Sequence, residues 1–336
     1  MKASGSRGKK KSPGRKAGAG TVSRALGYDP SMQPLNRRHF LSLLGSSAAA
    51  VAMPSFAMPP STRPEDFTFL FLTDSHLQPE LNGVVGTDMA MKHARTIKAE
   101  FAIQGGDHIF DSLNTAKATV LRNYDLYDKA QDDLGLRVHH TLGNHDVMGI
   151  YTTSGTLPTD PLYGKKLFAD RFGPTWYSFD HKGYHFLVLD SIGITDDHHY
   201  EARIDPDQLA WIKSDLAATP AGTPIVVTTH IPLVTALASY TVPKTSKSYA
   251  FLNGPETIKL FEGHNVIGVL QGHTHVNEQV LWHGVPYITS GAVCGNWWKG
   301  TNLGTPEGFT VVTLTGGKLS TRYETYGFKS IQPENT

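Results

Sequence analysis

Cysteine is almost absent: Cys294 is the single one among 336 residues, so no disulfide can close within the chain. Long apolar runs are missing as well. The stretch from Phe40 to Ala52 holds thirteen mostly small or apolar residues, short of the roughly 20 needed to span a bilayer. No glycine-rich triphosphate loop and no nucleophilic serine motif occurs, which removes two large classes of chemistry. Basic charge is scarce outside one end: the first 38 residues carry ten of the 31 Lys and Arg but one of the 30 Asp and Glu. The rest has 21 basic against 29 acidic residues, a formal charge near −8. So acidic a remainder is a poor binder of nucleic acid polymers, whose affinity rests on Lys and Arg neutralising phosphates. Small molecules are the expected partners.

What is present is a set of metal-ligand residue types in five short clusters. Asp74 and His76 lie in Leu-Thr-Asp-Ser-His, Asp107 in Gly-Gly-Asp-His, Asn144 in Gly-Asn-His-Asp, His230 in Thr-Thr-His-Ile-Pro, and His273 with His275 in Gly-His-Thr-His. Four imidazoles, two carboxylates and one amide oxygen suit manganese, iron or zinc better than calcium or magnesium. Seven ligands exceed what one open tetrahedral zinc takes, and are enough for two ions sharing a carboxylate.

The clusters follow apolar segments. Phe67 to Leu72, Phe101 to Gln104, Leu136 to Leu142, Pro224 to Thr229 and Val266 to Gln271 read as buried strands, each ending at a ligand. Helical spacing covers 87–99 and 116–134, and Asp205-Pro206-Asp207-Gln208 reads as a capped helix start running to about Ala218. Gly105, Gly106, Gly143 and Gly272 precede ligands where the backbone must turn and approach closely. Phe309 to Leu314 and Leu319 to Tyr326 read as a late hairpin of a second sheet. The alternation predicts an α/β fold with its site in the crevice beyond the strand ends.

In their order the clusters resemble those of the calcineurin-like metallophosphoesterases, over roughly residues 66 to 325. The resemblance implies a four-layer α/β/β/α sandwich, two mixed sheets flanked by helices, with a binuclear metal site at strand C-terminal ends. It puts Asp74, His76, Asp107 and His275 on one ion and Asp107, Asn144, His230 and His273 on the other, with Asp107 as bridge. His145 matches the proton donor to the leaving group, with Asp146 expected to orient and charge its ring. The wording at 186–191 and 229–233 is similar to the bacterial branch that contains cyclic-nucleotide phosphodiesterases. The implied activity is hydrolysis of a small phosphate ester by a metal-bridging hydroxide, on a diester such as a cyclic nucleotide. Phosphomonoester scavenging is the alternative within the class, and a metal-stabilised phosphate-binding protein the alternative outside it. Purple acid phosphatases carry a tyrosine ligand where Phe110 stands, which excludes a tyrosinate-coloured iron site.

Asn36-Arg37-Arg38-His39-Phe40-Leu41, followed by the short apolar run, resembles a twin-arginine export signal. Cleavage is expected after Ala52 or Ala57, giving a periplasmic or secreted product, with the twin-arginine machinery as partner and no membrane span in the mature chain. The expected organisation is a leader over 1–57, a linker over 58–65, the catalytic domain over 66–328 and a tail over 329–336. Seven other residues stand out. His108 suits a substrate contact or a packing role, and of His139 and His140 one is expected to pack and one to face solvent. His198 and His199 read as loop surface. Trp297 and Trp298 suit either core plugs or base-stacking faces.

Overall fold

Along Phe67–Leu72 the side chains alternate between two interiors. Phe67, Phe69 and Phe71 face a second sheet, and Leu70 and Leu72 face a layer of helices. A strand buried on both faces has no polar side to alternate with, which explains its continuous apolar sequence.

The computed structural model describes residues 63–241 and 251–334, all within one unit, Met58–Thr336. The expected leader, most of the linker, residues 242–250 of the loop after His230, and the end of the tail lie outside the described residues. The elements in chain order are β1 (Phe67–Leu72), α1 (Gly83–Arg95), β2 (Ala102–Gln104), α2 (Lys117–Asp132), β3 (Val138–His140), α3 (Lys166–Phe172), β4 (Tyr177–His181) and β5 (Tyr184–Val188). They continue with β6 (Ile192–Ile194), β7 (Tyr200–Ala202), α4 (Pro206–Ala218), β8 (Ile225–Thr228), α5 (Leu237–Tyr240), α6 (Gly254–Lys259), β9 (Val266–Gln271), β10 (Glu278–Trp282), β11 (Val285–Thr289), β12 (Gly308–Thr315) and β13 (Lys318–Thr325).

Two large mixed sheets form. One has the order β13-β12-β1-β2-β3 and the other β10-β11-β9-β8-β5-β4. Strands β1, β2 and β3 run parallel, as do β5, β8, β9 and β11. Between the sheets lies an aromatic core in which Phe69 and Phe101 stack at 5.0 Å and Phe186 meets Phe69 edge-on. On the outer faces, residues of α1 and α2 pack on the first sheet, and Ile212 and Leu216 of α4 on the second. This is the mixed α/β arrangement of two sheets flanked by helices that the family resemblance implies, and among the described residues no helix is long and apolar enough to cross a membrane.

Three local readings need correction. The late hairpin, β12 and β13, extends the sheet of β1, because β12 pairs antiparallel with β1 from Phe67 opposite Leu314. The expected capping box of α4 does not form: the Asp205 carboxylate accepts from Arg203 Nε at 2.7 Å, and Gln208 bonds both backbone groups of Asp190. Neither His139 nor His140 faces solvent, at 7% and 8% exposure. His139 stacks on Phe179 with centroids 3.7 Å apart, and His140 Nδ1 lies 2.9 Å from His108 Nε2.

Candidate metal centre

Each of the five ligand clusters follows the C-terminal end of a strand, three in one sheet and two in the other, so the seven side chains meet where the two sheets adjoin. Their loops are laced together by backbone. Asp74 and His76 donate their N–H groups to the carbonyls of Gly106 and Asp107 at 2.9 and 3.0 Å, and Cys294 donates to Asp74 at 3.1 Å. Five of the seven residues, Asp74, His76, Asp107, His273 and His275, have positive φ between 38° and 71°. Such a backbone is costly for non-glycine residues and persists where surrounding structure imposes it, as at functional sites. Gly106 and Gly143 explain the close approach. A Cβ on Gly106, at φ +105°, would lie 2.4 Å from His230 Nδ1, and one on Gly143 would lie 2.1 Å from Asp107 Oδ1.

Hydrogen bonds orient the imidazoles. Nδ1 of His76, His230 and His275 faces the carbonyl oxygens of Phe110, Gly105 and Gly295 at 3.3, 2.8 and 2.7 Å. A carbonyl only accepts, so each Nδ1 must donate, and each neutral ring turns a bare Nε2 lone pair toward the centre. There His76 Nε2 stands 3.2 Å from His275 Nε2 and 3.4 Å from Asp107 Oδ2. His230 Nε2 stands 3.1 Å from both Asp107 Oδ2 and Asn144 Oδ1, and His275 Nε2 is 3.3 Å from Asp74 Oδ1.

Acceptors confronting acceptors at these distances need positive charge between them. Protons can supply part of it: although burial works against its charge, His230 is raised to about 9 by the Asp107 carboxylate. Asp74, buried as well, is nonetheless held well below the usual carboxylate range by the imidazoles, His275 first. Burial holds His76 and His273 well below the ordinary imidazole value, which keeps them neutral as metal ligands must be. The donor set therefore fits cations of the nitrogen-and-oxygen-loving kind. Asp107 Oδ2 lies within reach of His76 on one side and His230 on the other, where a shared carboxylate belongs.

His145 sits at the edge of this cluster, 21% exposed. Its Nδ1 lies 3.2 Å from Asp111 Oδ1, and its backbone N–H donates to Asp107 Oδ1 at 2.8 Å. Burial disfavours its charge, yet the carboxylates of Asp107 and Asp111 hold it above its ordinary value. The expected pairing with Asp146 is thus corrected: Asp111 orients His145. Residues 144–146 form a 3-10 turn, in which successive side chains point about 120° apart, so His145 faces the crevice and Asp146 faces inward.

There Asp146 accepts from the backbone N–H groups of Asp107, His108 and Gly143 and from the Tyr124 hydroxyl, and meets His108 Nδ1 at 2.9 Å. It ties two ligand loops to one carboxylate. His108, fully buried between Phe172 and Tyr127, is a packing and positioning residue rather than a substrate contact. His199 is exposed on its loop, and His198 beside it meets the Tyr163 hydroxyl at 3.1 Å.

Sequence reasoning missed Asp111 and Cys294. Asp111 lies four residues beyond Asp107 in an ordinary loop without periodic signal. Cys294 is buried with Sγ 3.8 Å from His275 Nδ1, and its neighbourhood to the cluster arises only from folding. The two tryptophans differ in burial. Trp298 is fully buried, with Nε1 donating to the His76 carbonyl at 3.0 Å, and Trp297 lies half-buried over the His76 ring.

Comparison with known proteins bears on the family and the fold. The family model for calcineurin-like phosphoesterases matches residues 67–277. A dimetal phosphatase from Danio rerio shares the fold with a TM-score of 0.54 at 14% identity, covering 76% of this chain and 98% of its own. GAP50, described as the anchor in the inner membrane complex of Plasmodium, does so with 0.52 at 16% identity, covering 80% and 88%. No curated protein sequence matches the chain significantly.

Proposed function

The chain belongs to the calcineurin-like phosphoesterase family, a metal-dependent hydrolase of phosphoric esters, and from that premise we propose that it is a binuclear enzyme acting preferentially on phosphodiesters. Asp74, His76, Asp107 and His275 would hold one ion, and Asp107, Asn144, His230 and His273 the other. Two such ions would supply Lewis acidity toward the phosphoryl oxygens and a water of lowered pKa.

The chain's own groups do the rest. Asp111, an acceptor whose carboxyl is held below its usual range by His145 and neighbouring donors despite burial, keeps the proton on His145 Nδ1. Nε2 is then the nitrogen that carries the mobile proton, and it would hand that proton to the departing oxygen. Asp146 fixes the spacing of the Asp107 and Asn144 loops. The single observation that carries catalysis over mere binding is the His145–Asp111 pair beside Asp107, since a site that only held phosphate would need no oriented proton donor. One fold neighbour is described as an anchor, so the fold alone does not decide this and the site residues must.

The preference for a diester rests on charge. Glu80, Asp111 and Glu334 line the crevice beside His145, and Lys299 there is paired with Glu334 at 3.2 Å, which favours the single charge of a diester. Metal-replete protein offered bis-(p-nitrophenyl) phosphate and p-nitrophenyl phosphate should release product faster from the diester. Faster release from the monoester would support phosphate scavenging, and no release from either would support the binding-protein reading. We also propose that residues 1–57 direct twin-arginine export to a periplasmic or secreted location. Arg37→Lys with Arg38→Lys keeps the charge and should strand the precursor in the cytoplasm, and normal export of that variant would defeat the proposal.

A further inference from the structure

The loop after Cys294 bends sharply: Gly295, Trp297 and Trp298 all have positive φ, at 55°, 54° and 68°. For Trp298 the interior explains the conformation. Its ring is fully buried against Phe328 and over α1, where a Cβ on Gly86 would lie 2.1 Å from it.

Trp297 has no such explanation, because it remains half-buried. A strained backbone holds a large flat ring on the wall of a crevice, and such conformations gather at ligand sites. The ring centroid lies 3.9 Å from that of His76, 5.1 Å from that of His145 and 5.6 Å from that of Phe110. Phe110 is itself 36% exposed. With Leu81 the two aromatic residues line a cavity of about 590 Å³ that has His145 and Asp111 among its walls. Cavities of that size, mostly apolar with a few convergent polar groups, hold small organic molecules.

We propose that this cavity receives the leaving group, and that the enzyme's substrates are esters whose leaving group carries a flat, uncharged aromatic ring stacked on Trp297. The proposal rests on the hydrolytic reading above, since a proton donated by His145 places the departing oxygen on this side of the site. Aromatic walls bind aromatic rings through their faces, with little demand for a particular ring. Charge narrows the class. The rim offers Glu80 and Glu334, and its Lys299 is paired with Glu334, so a leaving group bearing further phosphates is disfavoured. An aryl group attached directly and a nucleobase one sugar away share the remaining chemistry.

Phosphonates test this without turnover, because a P–C bond replaces the scissile ester. Binding of phenylphosphonate, adenosine 5′-methylenephosphonate and methylphosphonate to metal-replete protein is compared by titration calorimetry in the wild type, Trp297→Ala, Trp297→Phe and Phe110→Ala. At least one ring-bearing probe should bind the wild type about tenfold or more tighter than methylphosphonate, and which one does so separates the aryl from the nucleoside source. Trp297→Ala should bring the ratio to within about twofold with methylphosphonate affinity retained, Trp297→Phe should keep most of the preference, and Phe110→Ala should lose part of it. Equal affinities in the wild type, or a preference that both alanine variants retain, would overturn the proposal. Failure of the hydrolytic reading looks different: a ring preference lost in Trp297→Ala, with no phosphate ester turned over.

Discussion

His145 Nδ1 meets Asp111 Oδ1 at 3.2 Å, and this contact, rather than one to the adjacent Asp146, sets the ring at the edge of the site. His145→Ala should keep its metals and lose roughly 10²-fold in turnover of esters with poor leaving groups, the usual size of a lost general acid. Loss on p-nitrophenyl esters should be clearly smaller, since that leaving group needs little protonation. Asp111→Asn should show the same leaving-group dependence with a lesser loss, about tenfold. Steady-state kinetics across a leaving-group series reads both, and equal losses on all esters would assign the pair a structural role.

Asp146 behaves differently. Five donors converge on its buried carboxylate, and Asp146→Ala leaves them unpaired at a cost of about 3–5 kcal/mol. Urea denaturation should show this as a lowered midpoint, and Asp111→Asn should move the midpoint far less.

These two carboxylates also show what the sequence could and could not convey. The seven residues brought together were legible because each stands at the end of an apolar segment, often after a glycine, and their residue types share one chemistry. The paired sheets were legible through the family resemblance, with strands supplied by short apolar runs. Asp111 was not legible, since nothing in a loop's composition says which side chain it will face. Asp146 reads from sequence as the partner of the adjacent His145, but in a 3-10 turn neighbours in sequence point to different sides. The start of α1 at Gly83, four residues before its helical spacing begins, was hidden because Gly83 and Gly86 are poor helix formers. They are tolerated because the Trp298 ring fills the space that side chains would need.

His139 gives the fold a pH dependence that can be isolated. Burial against Phe179, aided by the positive charges of Arg137 and His181, lowers its pKa to about 4. An unfolded histidine titrates near 6.5. As pH falls between these values the unfolded chain takes up a proton that the folded chain refuses, so stability is full above about 6.5 and declines toward about 4. His139→Phe should flatten that decline, seen as a smaller difference between midpoints at pH 7 and pH 4.5. An unchanged difference would show that His139 does not titrate as its surroundings dictate.

Gly143→Ala tests the crowding at the shared carboxylate. The added Cβ would lie 2.1 Å from Asp107 Oδ1, so Asp107 must move and metal retention after dialysis should fall. Full retention would mean that the loop relaxes without disturbing Asp107.

Two half-sites joined through Asp107 imply two ions per chain, and elemental analysis of purified, metal-replete protein tests that most directly. Two transition ions per chain are expected in the wild type, with Asp107→Asn lowering occupancy of both positions together. No more than one ion per chain in the wild type, with Asp107 intact, would contradict it.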